Sequence, residues 1–334
     1  MILIRQELFD LSNCQKLASI IGTGSYVPDM ILKNSYFEKI VDTSDKWIVS
    51  RTGIKERRKA PIEIATSDIA TKAAIYALED ANLTPLDLDM IIVATVTPDM
   101  SFPSTACIVQ KNIGAKNAIA FDIEAACSGF IYGITIAEQF IKTGSMKNIL
   151  VIGAEILSKI TDYKDRNTCI LFGDGAGAVI LSETDGYQIL STYLGSDGSG
   201  CDLLYLPGGG SKMPASSETL NKSMHYIKME GSEVFRFAVR IIEVATEKAL
   251  KLCNLNNENI DYFIPHQANI RIIESAIKRL KLTKDKVFVN VDRYGNMSAA
   301  SIAVALDEVN RMKKLSNGDI VVLVGFGGGL TWLK

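Results

Sequence analysis

The sequence predicts an α/β fold built from two copies of one βαβ-rich unit. The first observation is an internal repeat, because the chain matches itself at an offset of 172 residues. The matching pairs include Ala73 and Ala245, Ala77 and Ala249, Leu78 and Leu250, Asn82 and Asn254, Leu83 and Leu255, Asp89 and Asp261, and Gly153 and Gly325. The second observation is that helices alternate with short Val- and Ile-rich strands, which is typical of parallel sheets covered by helices.

The elements follow in the same order in both copies. In the first copy, "IYALEDANL" predicts a helix and its turn, "MIIVAT" a buried strand, "AIAFDIEA" a strand that enters an Ala- and Gly-rich helix, and "ILVIGAE" a further strand. In the second copy, the same places are taken by "EKALKLCNL", "DYFIP", "KVFVNVD" with the helix "NMSAASIAVALDEVNRM", and "IVVLVGFGGG". We therefore expect two sheet layers related by a pseudo-twofold axis.

The composition excludes several classes of protein. A net charge of -2 over 334 residues provides no overall basic field, so we expect neither nucleic acid nor an anionic membrane as a partner. No apolar run reaches the roughly 18 residues that span a bilayer. Arg5, Glu7 and Asp10 interrupt the start of the chain where a signal peptide needs an unbroken apolar core. We expect a soluble cytoplasmic protein.

The spacing of cysteine and histidine gives no sign of a disulfide framework or a metal site. The six cysteines lack paired spacing, which fits a reducing cytoplasm. The chain has only two histidines, so a zinc site would need several lone cysteines to converge on one of them. We expect no bound metal.

Candidate site residues follow the predicted strands. Sites in open α/β sheets gather at the carboxyl ends of strands. These positions carry Cys127 after "FDIE", His266 after "YFIP", Asn296 after "FVNVD", and the glycines 327–329 after "LVGF". A twofold axis would bring the strand ends of the two copies together.

Cys127 is the candidate nucleophile. It opens a helix, and the two residues after it are small enough to let a substrate approach. A helix N-terminus favours negative charge and is one recognised way of lowering a cysteine pKa, and the thiolate is the nucleophilic form. The alternative is a small buried hydrophobic residue, which suits Cys107, Cys169 and Cys253 better.

His266 and Asn296 each have a structural alternative. A lone histidine is more often structural, but the repeat puts His266 at a strand end that would face the strand end carrying Cys127. His225 has no such placement and is expected in a surface loop. Asn296 follows Gly295, a pair common in turns and N-caps, and its functional alternative is an amide that donates a hydrogen bond into the site.

Two glycine-rich motifs do not predict nucleotide binding. Only five residues follow Gly329 in "GFGGGLTW", too few for the helix that a phosphate loop requires. The GxGxxA spacing in "FGDGAGAVIL" is followed by a strand and a turn rather than a helix. We interpret the first motif as a close-packed backbone donor and the second as a tight turn.

Taken together, these motifs resemble the β-ketoacyl-acyl carrier protein synthase III family. The resemblance runs from "IIGTGSYVP" to "GGGLTW" and includes "DTSDKWIVSRTGIKERR", "FDIEAACSGF", "LFGDGAGA", "GSDGSG", "PHQAN" and "GNMSAAS". It implies a thiolase-like five-layered αβαβα fold and a homodimer. The first half, 17–186, would carry the nucleophile Cys127, and the second half, 187–334, would carry His266 and Asn296. Residues 1–16 precede the usual start of the family and would be an N-terminal extension.

The resemblance also implies a reaction. An acyl group would pass from coenzyme A to Cys127, and the enolate of decarboxylated malonyl-acyl carrier protein would then attack it, with His266 and Asn296 assisting. The products would be 3-oxoacyl-acyl carrier protein, coenzyme A and CO2, in the initiation of fatty acid biosynthesis. The backbone N–H groups of Cys127 and Gly328 would stabilise the oxyanion. Acyl-CoA would be a substrate, and no cofactor is expected.

Further positions are assigned by the same resemblance. Trp47, Arg51 and Arg166 match residues at the adenine end of coenzyme A, and Ser232 stands where the family often has an asparagine that contacts it. Phe102 matches a position where a partner subunit helps to bound the acyl pocket, and its bulk indicates a short primer.

The acidic carrier protein would meet Arg236, Gln267 and Arg271. Arg271, Ser275 and Lys278 share one helical face, although such a face is also typical of ordinary solvated basic residues. The family usually continues several residues past "TW" to finish a strand, whereas only "LK" follows "TW" in this sequence.

Three alternatives remain at this point. A related thiolase-fold acyltransferase or condensing enzyme of secondary metabolism would use the same site. A cysteine hydrolase would also use Cys, His and Asn. A catalytically silent paralogue that binds carrier protein is the third.

Overall fold

The structure is a computed structural model that describes residues 2–6 and 17–332, with side chains described from residue 17 onward. Its strands are β1 (Ile2–Gln6), β2 (Ser19–Tyr26), β3 (Ile31–Lys33), β4 (Glu56–Arg58), β5 (Met90–Ala94), β6 (Ile119–Ile123), β7 (Asn148–Ile156), β8 (Asp174–Ser182), β9 (Tyr187–Thr192), β10 (Gly195–Ser196), β11 (Leu204–Tyr205), β12 (Lys228–Met229), β13 (Tyr262–Pro265), β14 (Val321–Val324) and β15 (Thr331–Trp332). Its α-helices are α1 (Asn34–Phe37), α2 (Asp45–Thr52), α3 (Thr66–Asp80), α4 (Thr105–Ile113), α5 (Gly129–Lys142), α6 (Arg166–Cys169), α7 (Ser217–Asn221), α8 (Gly231–Leu252), α9 (Ile270–Leu280), α10 (Val291–Tyr294) and α11 (Ala300–Arg311).

Nine strands form one curled sheet in the order β13-β14-β1-β9-β2-β8-β7-β5-β6. The strands of the first half occupy one end, where β5 pairs in parallel with β6 and β7, and β8 pairs antiparallel with β7 and β2. The strands of the second half occupy the other end, where β13 and β14 are parallel. The antiparallel pairing of β2 with β9 joins the two halves.

The internal repeat is present in the backbone as well as in the sequence. Asn82 ends the first helix of one copy with a φ of 54°, and Asn254 ends the equivalent helix with a φ of 56°, both in the left-handed region. The N–H of Asp89 donates to the carbonyl of the first residue of β7 at 2.9 Å. The N–H of Asp261 donates to the carbonyl of the residue just before β14 at 3.0 Å. The predicted duplication is therefore confirmed in backbone conformation and hydrogen bonding.

The N-terminal strand takes the place in the second half that β8 takes in the first. β8 lies antiparallel between β7 and β2, and β1 lies antiparallel between β14 and β9. In this register Ile4 is opposite Val321 of β14 and Ile189 of β9. Residues 2–6 of the predicted extension thus belong to the main sheet and supply a strand to its second half.

Helices cover both halves of the sheet and lie between them. α3 and α4 pack on the outer face of the first half, α8 and α9 cover the second half, and α5 and α11 lie between the two. α11 approaches closely because glycines face it: a Cβ atom at Gly153 would lie 2.4 Å from the carbonyl oxygen of Ala299. The two halves of this one sheet take the places of the two predicted sheet layers, and the layers follow the predicted αβαβα order. Within residues 17–332, no helix is both long and apolar enough to cross a membrane.

Candidate active site

Cys127 lies between a strand and a helix, as the sequence predicts. β6 ends at Ile123, a short 3-10 turn spans Ala126–Ser128, and α5 begins at Gly129. The residue before the cysteine, Ala126, has a φ of 45°, a conformation that costs non-glycine residues free energy and is common at functional sites. This turn holds the thiol at the N-terminal end of α5.

Burial dominates the ionisation of Cys127. Its side chain is 6% exposed, and desolvation raises the pKa of the thiol to about 12. The nearby Ser298 hydroxyl opposes this rise in the pKa, and the charges of Glu155 and Glu124 add to it. The pKa of the thiol is therefore raised and not lowered as expected from the helix N-terminus, because desolvation is the largest effect on it. The thiol is protonated near neutral pH and must lose its proton when it reacts.

His266 follows β13 and is held by its backbone. Its N–H donates to the carbonyl of Val324 in β14 at 2.8 Å, and its ring meets that of Phe326 edge to face at a centroid distance of 5.3 Å. The ring is buried, and neither ring nitrogen has a hydrogen-bond partner among the described residues. Desolvation lowers the pKa of His266 to about 3. The imidazole is therefore neutral, with one N–H group available as a donor.

The backbone and side chain of Asn296 are fixed from both sides. Its N–H donates to Leu171 at 2.9 Å, and its carbonyl accepts from the N–H of Gly173 at 3.0 Å. The turn requires glycine at position 295, because a Cβ atom there would lie 2.7 Å from the carbonyl oxygen of Leu171. The side-chain oxygen of Asn296 accepts from the N–H of Ser298 at 2.8 Å. This contact leaves the NH2 group of Asn296 as the donor.

Two cavities meet at Cys127. The smaller cavity, of about 90 Å³, is lined by Cys127, His266 and Asn296 together. The larger cavity, of about 660 Å³, is mostly apolar and has Cys127 and Ser298 in its wall. The structure thus brings the three predicted residues to one cavity and places a second cavity beside the same thiol. A nucleophile with two neutral donors in one cavity, and apolar space beside it, suits acyl transfer.

Comparison with known proteins identifies the family. Beta-ketoacyl-[acyl-carrier-protein] synthase III of Caldanaerobacter subterraneus subsp. tengcongensis is 63% identical over 321 residues, which cover 96% of this chain and 97% of the relative. This chain belongs to the beta-ketoacyl-[acyl-carrier-protein] synthase III family. Such enzymes are condensing enzymes of the acyltransferase type. Residues 121–198 match the family described as 3-Oxoacyl-[acyl-carrier-protein (ACP)] synthase III, and residues 250–333 match its C-terminal counterpart.

Solved structures of synthase III enzymes share the fold. The 3-oxoacyl-[acyl-carrier-protein] synthase III from Aquifex aeolicus VF5 has a TM-score of 0.88 and 49% sequence identity, and the match covers 94% of this chain and 97% of the other. The priming beta-ketosynthase from the R1128 polyketide biosynthetic pathway has a TM-score of 0.87 and 31% identity, covering 95% of both chains. These comparisons confirm the predicted thiolase-like fold and family resemblance.

The glycine loop of this synthase III chain lies against the nucleophile. A Cβ atom at Gly327 would lie 2.6 Å from the backbone nitrogen of Cys127, so only glycine allows this approach. The N–H of Gly327 donates to the carbonyl of Thr331 at 3.0 Å and is therefore occupied. Gly328, the predicted oxyanion donor, lines the larger cavity together with Cys127.

The predicted CoA-binding residues lie on elements close to the smaller cavity. The guanidinium of Arg166 lies over the ring of Trp47, 4.4 Å from its centroid. Arg51 is exposed one turn further along α2, and its carbonyl accepts from the side chain of Asn269, which lines the smaller cavity. Ser232 is exposed in the first turn of α8, beside a second lining residue. The structure therefore brings Trp47 and Arg166 into direct contact and leaves Arg51 and Ser232 accessible.

Phe102 does not line the larger cavity of its own chain. Its ring is 85% exposed, while Met100 and Ser101 just before it do line that cavity. A position so exposed beside the cavity is compatible with a ring that reaches a partner subunit.

The three predicted carrier-protein residues differ in accessibility. Arg236 and Arg271 are exposed near the N-terminal ends of α8 and α9; Arg236 pairs with Glu233, and Arg271 lies over the ring of Phe235 at 5.4 Å. Gln267 has no exposed surface, so its predicted contact with a carrier protein does not fit the structure.

The side chain of Gln267 is occupied inside the protein. Its NH2 group donates to the carbonyls of Pro265 and Phe288, and its oxygen accepts from the N–H groups of Asn290 and Val291. Four hydrogen bonds saturate the amide and explain its burial, because a buried polar group without partners is costly. The sequence prediction failed because a residue next to His266 in the chain points into the protein.

Two residues of the site were not predicted from the sequence. Ser298 lines the larger cavity beside Cys127, and its hydroxyl lowers the pKa of both Cys127 and Glu155. Glu155 is fully buried near the carboxyl end of β7. The sequence does contain a signal for Glu155. It is a carboxylate at the carboxyl end of the otherwise apolar strand "ILVIGAE", where sites in such sheets gather.

Proposed function

We propose that this chain catalyses the decarboxylative condensation of a short acyl-CoA primer with malonyl-acyl carrier protein and so initiates fatty acid biosynthesis. The products are 3-oxoacyl-acyl carrier protein, coenzyme A and CO2. The observation that carries the proposal is the smaller cavity, where Cys127 meets a neutral His266 without hydrogen-bond partners and an Asn296 whose NH2 group is free to donate.

In the first half-reaction, the sulphur of Cys127 attacks the thioester carbonyl of acyl-CoA. The thiol loses its proton, a carbon–sulphur bond forms, and coenzyme A leaves as the thiol. The N–H groups of Cys127 and Gly328 stabilise the oxyanion, a contribution worth about 3–4 kcal/mol for one donor in other enzymes. The larger cavity holds the acyl chain, since its lining is mostly apolar.

In the second half-reaction, the carbon–carbon bond to the malonyl carboxylate breaks and CO2 leaves. Negative charge develops on the thioester oxygen, and His266 and Asn296 each donate a hydrogen bond to it. Two neutral donors suit this step, since they stabilise the developing charge without repelling it. The enolate carbon then attacks the acyl group on Cys127 and expels the thiolate. No cofactor enters this balance.

The proposal also assigns residues that bind coenzyme A and residues that bind the carrier protein. Trp47, Arg51, Arg166 and Ser232 hold coenzyme A, because they lie on the elements around the smaller cavity and the Trp47–Arg166 pair is suited to stacking on a planar base. Arg236 and Arg271 meet the acidic carrier protein. Arg271→Glu should raise KM for the carrier-protein substrate and spare acylation by acyl-CoA. Lys147→Glu is the matched control, because this exposed lysine precedes β7 at the end of the strand that lies away from the site.

A homodimer is a further part of the proposal. Phe102 and Met100 are exposed beside the larger cavity, and β6 is an edge strand whose first residue, Ile119, is 50% exposed. A second copy would cover these apolar side chains, and its Phe102 would close the larger cavity. Light scattering of the purified protein tests this; a monomer at micromolar concentration that retains full activity contradicts it. We place the enzyme in the cytoplasm, where its substrates are made.

A priming enzyme of secondary metabolism is the second candidate. It is supported by the similarity to the R1128 priming ketosynthase, at 31% identity. The beta-ketoacyl-[acyl-carrier-protein] synthase III of Caldanaerobacter subterraneus subsp. tengcongensis, at 63% identity, favours the first candidate. A panel of acyl-CoA primers, each incubated with malonyl-acyl carrier protein, tests the choice. The proposal expects a 3-oxoacyl-acyl carrier protein from a short primer; rapid release of free acid and no condensation product would instead indicate a hydrolase.

A further inference from the structure

Glu155 is a buried carboxyl group that the proposed reaction does not yet use. It lies near the end of β7 with no exposed surface. Its carboxyl oxygens accept from the Thr97 hydroxyl at 2.7 Å, from the Thr95 hydroxyl at 3.3 Å and from the N–H of Val96 at 3.2 Å. All three donors are neutral and come from one loop after β5. The carboxyl therefore has a fixed position close to the site.

Ser298 connects this carboxyl to the nucleophile. Its hydroxyl lies close enough to Glu155 and Cys127 to lower the pKa of both groups, and its φ of 46° places its backbone in the left-handed region. Ser298 lines the larger cavity together with Thr95 and Cys127. Because Thr95 also donates to Glu155, this cavity wall places the Ser298 hydroxyl between the thiol and the carboxyl.

The charge environment leaves Glu155 able to take up a proton. Desolvation raises its pKa to about 7, and the hydrogen bonds from Thr97, Val96 and Thr95, together with the nearby Ser298 hydroxyl, limit the rise. Cys127 faces it from the turn before α5, and Glu124 adds negative charge on that side. On the adjacent strand β8, the carboxyl of Asp174 is bound by the N–H groups of Ala60 and Ser158 and by the Ser158 hydroxyl. No cation pairs with Glu155 in the described part of the chain.

We propose that Glu155 is a positioning residue that accepts, through the Ser298 hydroxyl, the proton that Cys127 loses when its sulphur attacks acyl-CoA. The inference rests on the proposed function. The thiol proton moves to the oxygen of Ser298 as the proton of that hydroxyl moves to Glu155. The sulphur–carbon bond forms, the bond to coenzyme A breaks, and the departing thiolate takes the proton back along the same path.

His266 is poorly suited to this task. Its folded-state pKa of about 3 means that it holds a proton weakly, and it lies at the smaller cavity, whereas Ser298 lies at the larger one. The two half-reactions therefore use different groups. Glu155 and Ser298 serve acylation, while His266 and Asn296 serve decarboxylation.

The inference is tested by measuring single-turnover acylation by acetyl-CoA. Intact mass reports the acylation rate at each of several pH values. In the native protein, the acylation rate should rise with pH and level off above about 7, as Glu155 ionises. Glu155→Gln should slow acylation at neutral pH by about 100–10,000-fold, the range of general-base assistance. Its rate should keep rising with pH instead of levelling off, because the thiol then ionises unaided. Condensation by a preformed acyl-enzyme should stay within about threefold of native.

Further variants separate proton transfer from structural support. Ser298→Ala should slow acylation like Glu155→Gln, and the double variant should be no slower than either single variant, since both interrupt one path. Thr97→Val removes a donor to the carboxylate and should move the rise in rate to higher pH. Glu138→Gln is the matched control, a buried glutamate on α5 that bonds Lys142, and it should leave the pH profile unchanged.

The outcomes separate this inference from the proposed function. If the native protein gains no acetyl group that depends on Cys127, the proposed function fails. If it is acetylated but Glu155→Gln keeps the native rate and pH profile, the inference alone is overturned. Equal losses of acylation and condensation in Glu155→Gln also overturn it. If that variant does not fold, by circular dichroism, the Ser298→Ala and Thr97→Val profiles decide in the same way.

Discussion

The side-chain oxygen of Gln267 accepts a hydrogen bond from the N–H of Asn290 at 3.0 Å. This contact ties the segment that carries His266 to the segment that leads into Asn296. One buried amide thus joins the segments that carry the two donors proposed for decarboxylation. A residue that the sequence assigns to protein docking instead supports the geometry of the site.

Gln267→Leu is expected to lower stability and to impair condensation. The substitution leaves the N–H groups of Asn290 and Val291 without their acceptor, at a cost of about 1–3 kcal/mol for each unpaired group. Urea unfolding should show the loss of stability, and product formation by a preformed acyl-enzyme should fall more than acylation does. Unchanged stability with a raised KM for the carrier-protein substrate would favour the docking role.

Asn296→Asp tests whether a neutral donor is needed at that position. The aspartate can still accept from the N–H of Ser298, so the backbone geometry should persist. Its charge would oppose the enolate by roughly 4 kcal/mol at about 4 Å and an effective dielectric near 20, or about three decades in rate. Condensation should fall by that factor, as measured by release of CO2, while acylation of Cys127 stays near native. Full condensation activity would contradict the proposed role.

The buried neutral His266 makes stability depend on pH in a defined direction. Its pKa is about 3 in the folded protein and 6.5 in the reference state, so between these values the unfolded chain holds a proton that the folded chain does not. The contribution of His266 to stability should therefore fall as the pH is lowered through 6.5 toward 3. His266→Gln should show a shallower acid destabilisation by chemical unfolding, and should acylate but not condense. An unchanged pH slope would contradict the pKa assignment.

The strand β1 should contribute to the stability of the second half. It pairs with β14 on one side and β9 on the other, and each buried hydrogen bond contributes about 1 kcal/mol. Removal of residues 1–16 should lower the midpoint of thermal unfolding by several degrees, and a synthetic peptide of residues 1–16 should restore part of the loss. The same midpoint in both forms would show that the pairing does not matter.

The sequence predicts the fold well because the fold is repetitive. The repeat, together with the rule that sites gather at the carboxyl ends of strands, predicts that Cys127, His266 and Asn296 lie close together. The structure places these residues at one cavity. The pKa of Cys127 could not be predicted in the same way, because desolvation depends on packing by residues far apart in the chain. The relation of Ser298 to Glu155 depends on contact between a turn and a strand from different halves. The position of β1 depends on pairing with strands more than 180 residues away in sequence. The five residues of β1 contain no pattern that indicates which strands they pair with.

In the proposed reaction, Cys127 holds an acyl group that malonyl-acyl carrier protein then receives. The most direct measurement is intact mass in a single turnover, first with acetyl-CoA and then with malonyl-acyl carrier protein. We expect one acetyl group on the native protein and none on Cys127→Ala. Addition of the malonyl substrate should transfer that group to a 3-oxoacyl-carrier protein with release of CO2. Loss of the acetyl group as free acid at the same rate with and without the malonyl substrate would contradict the account.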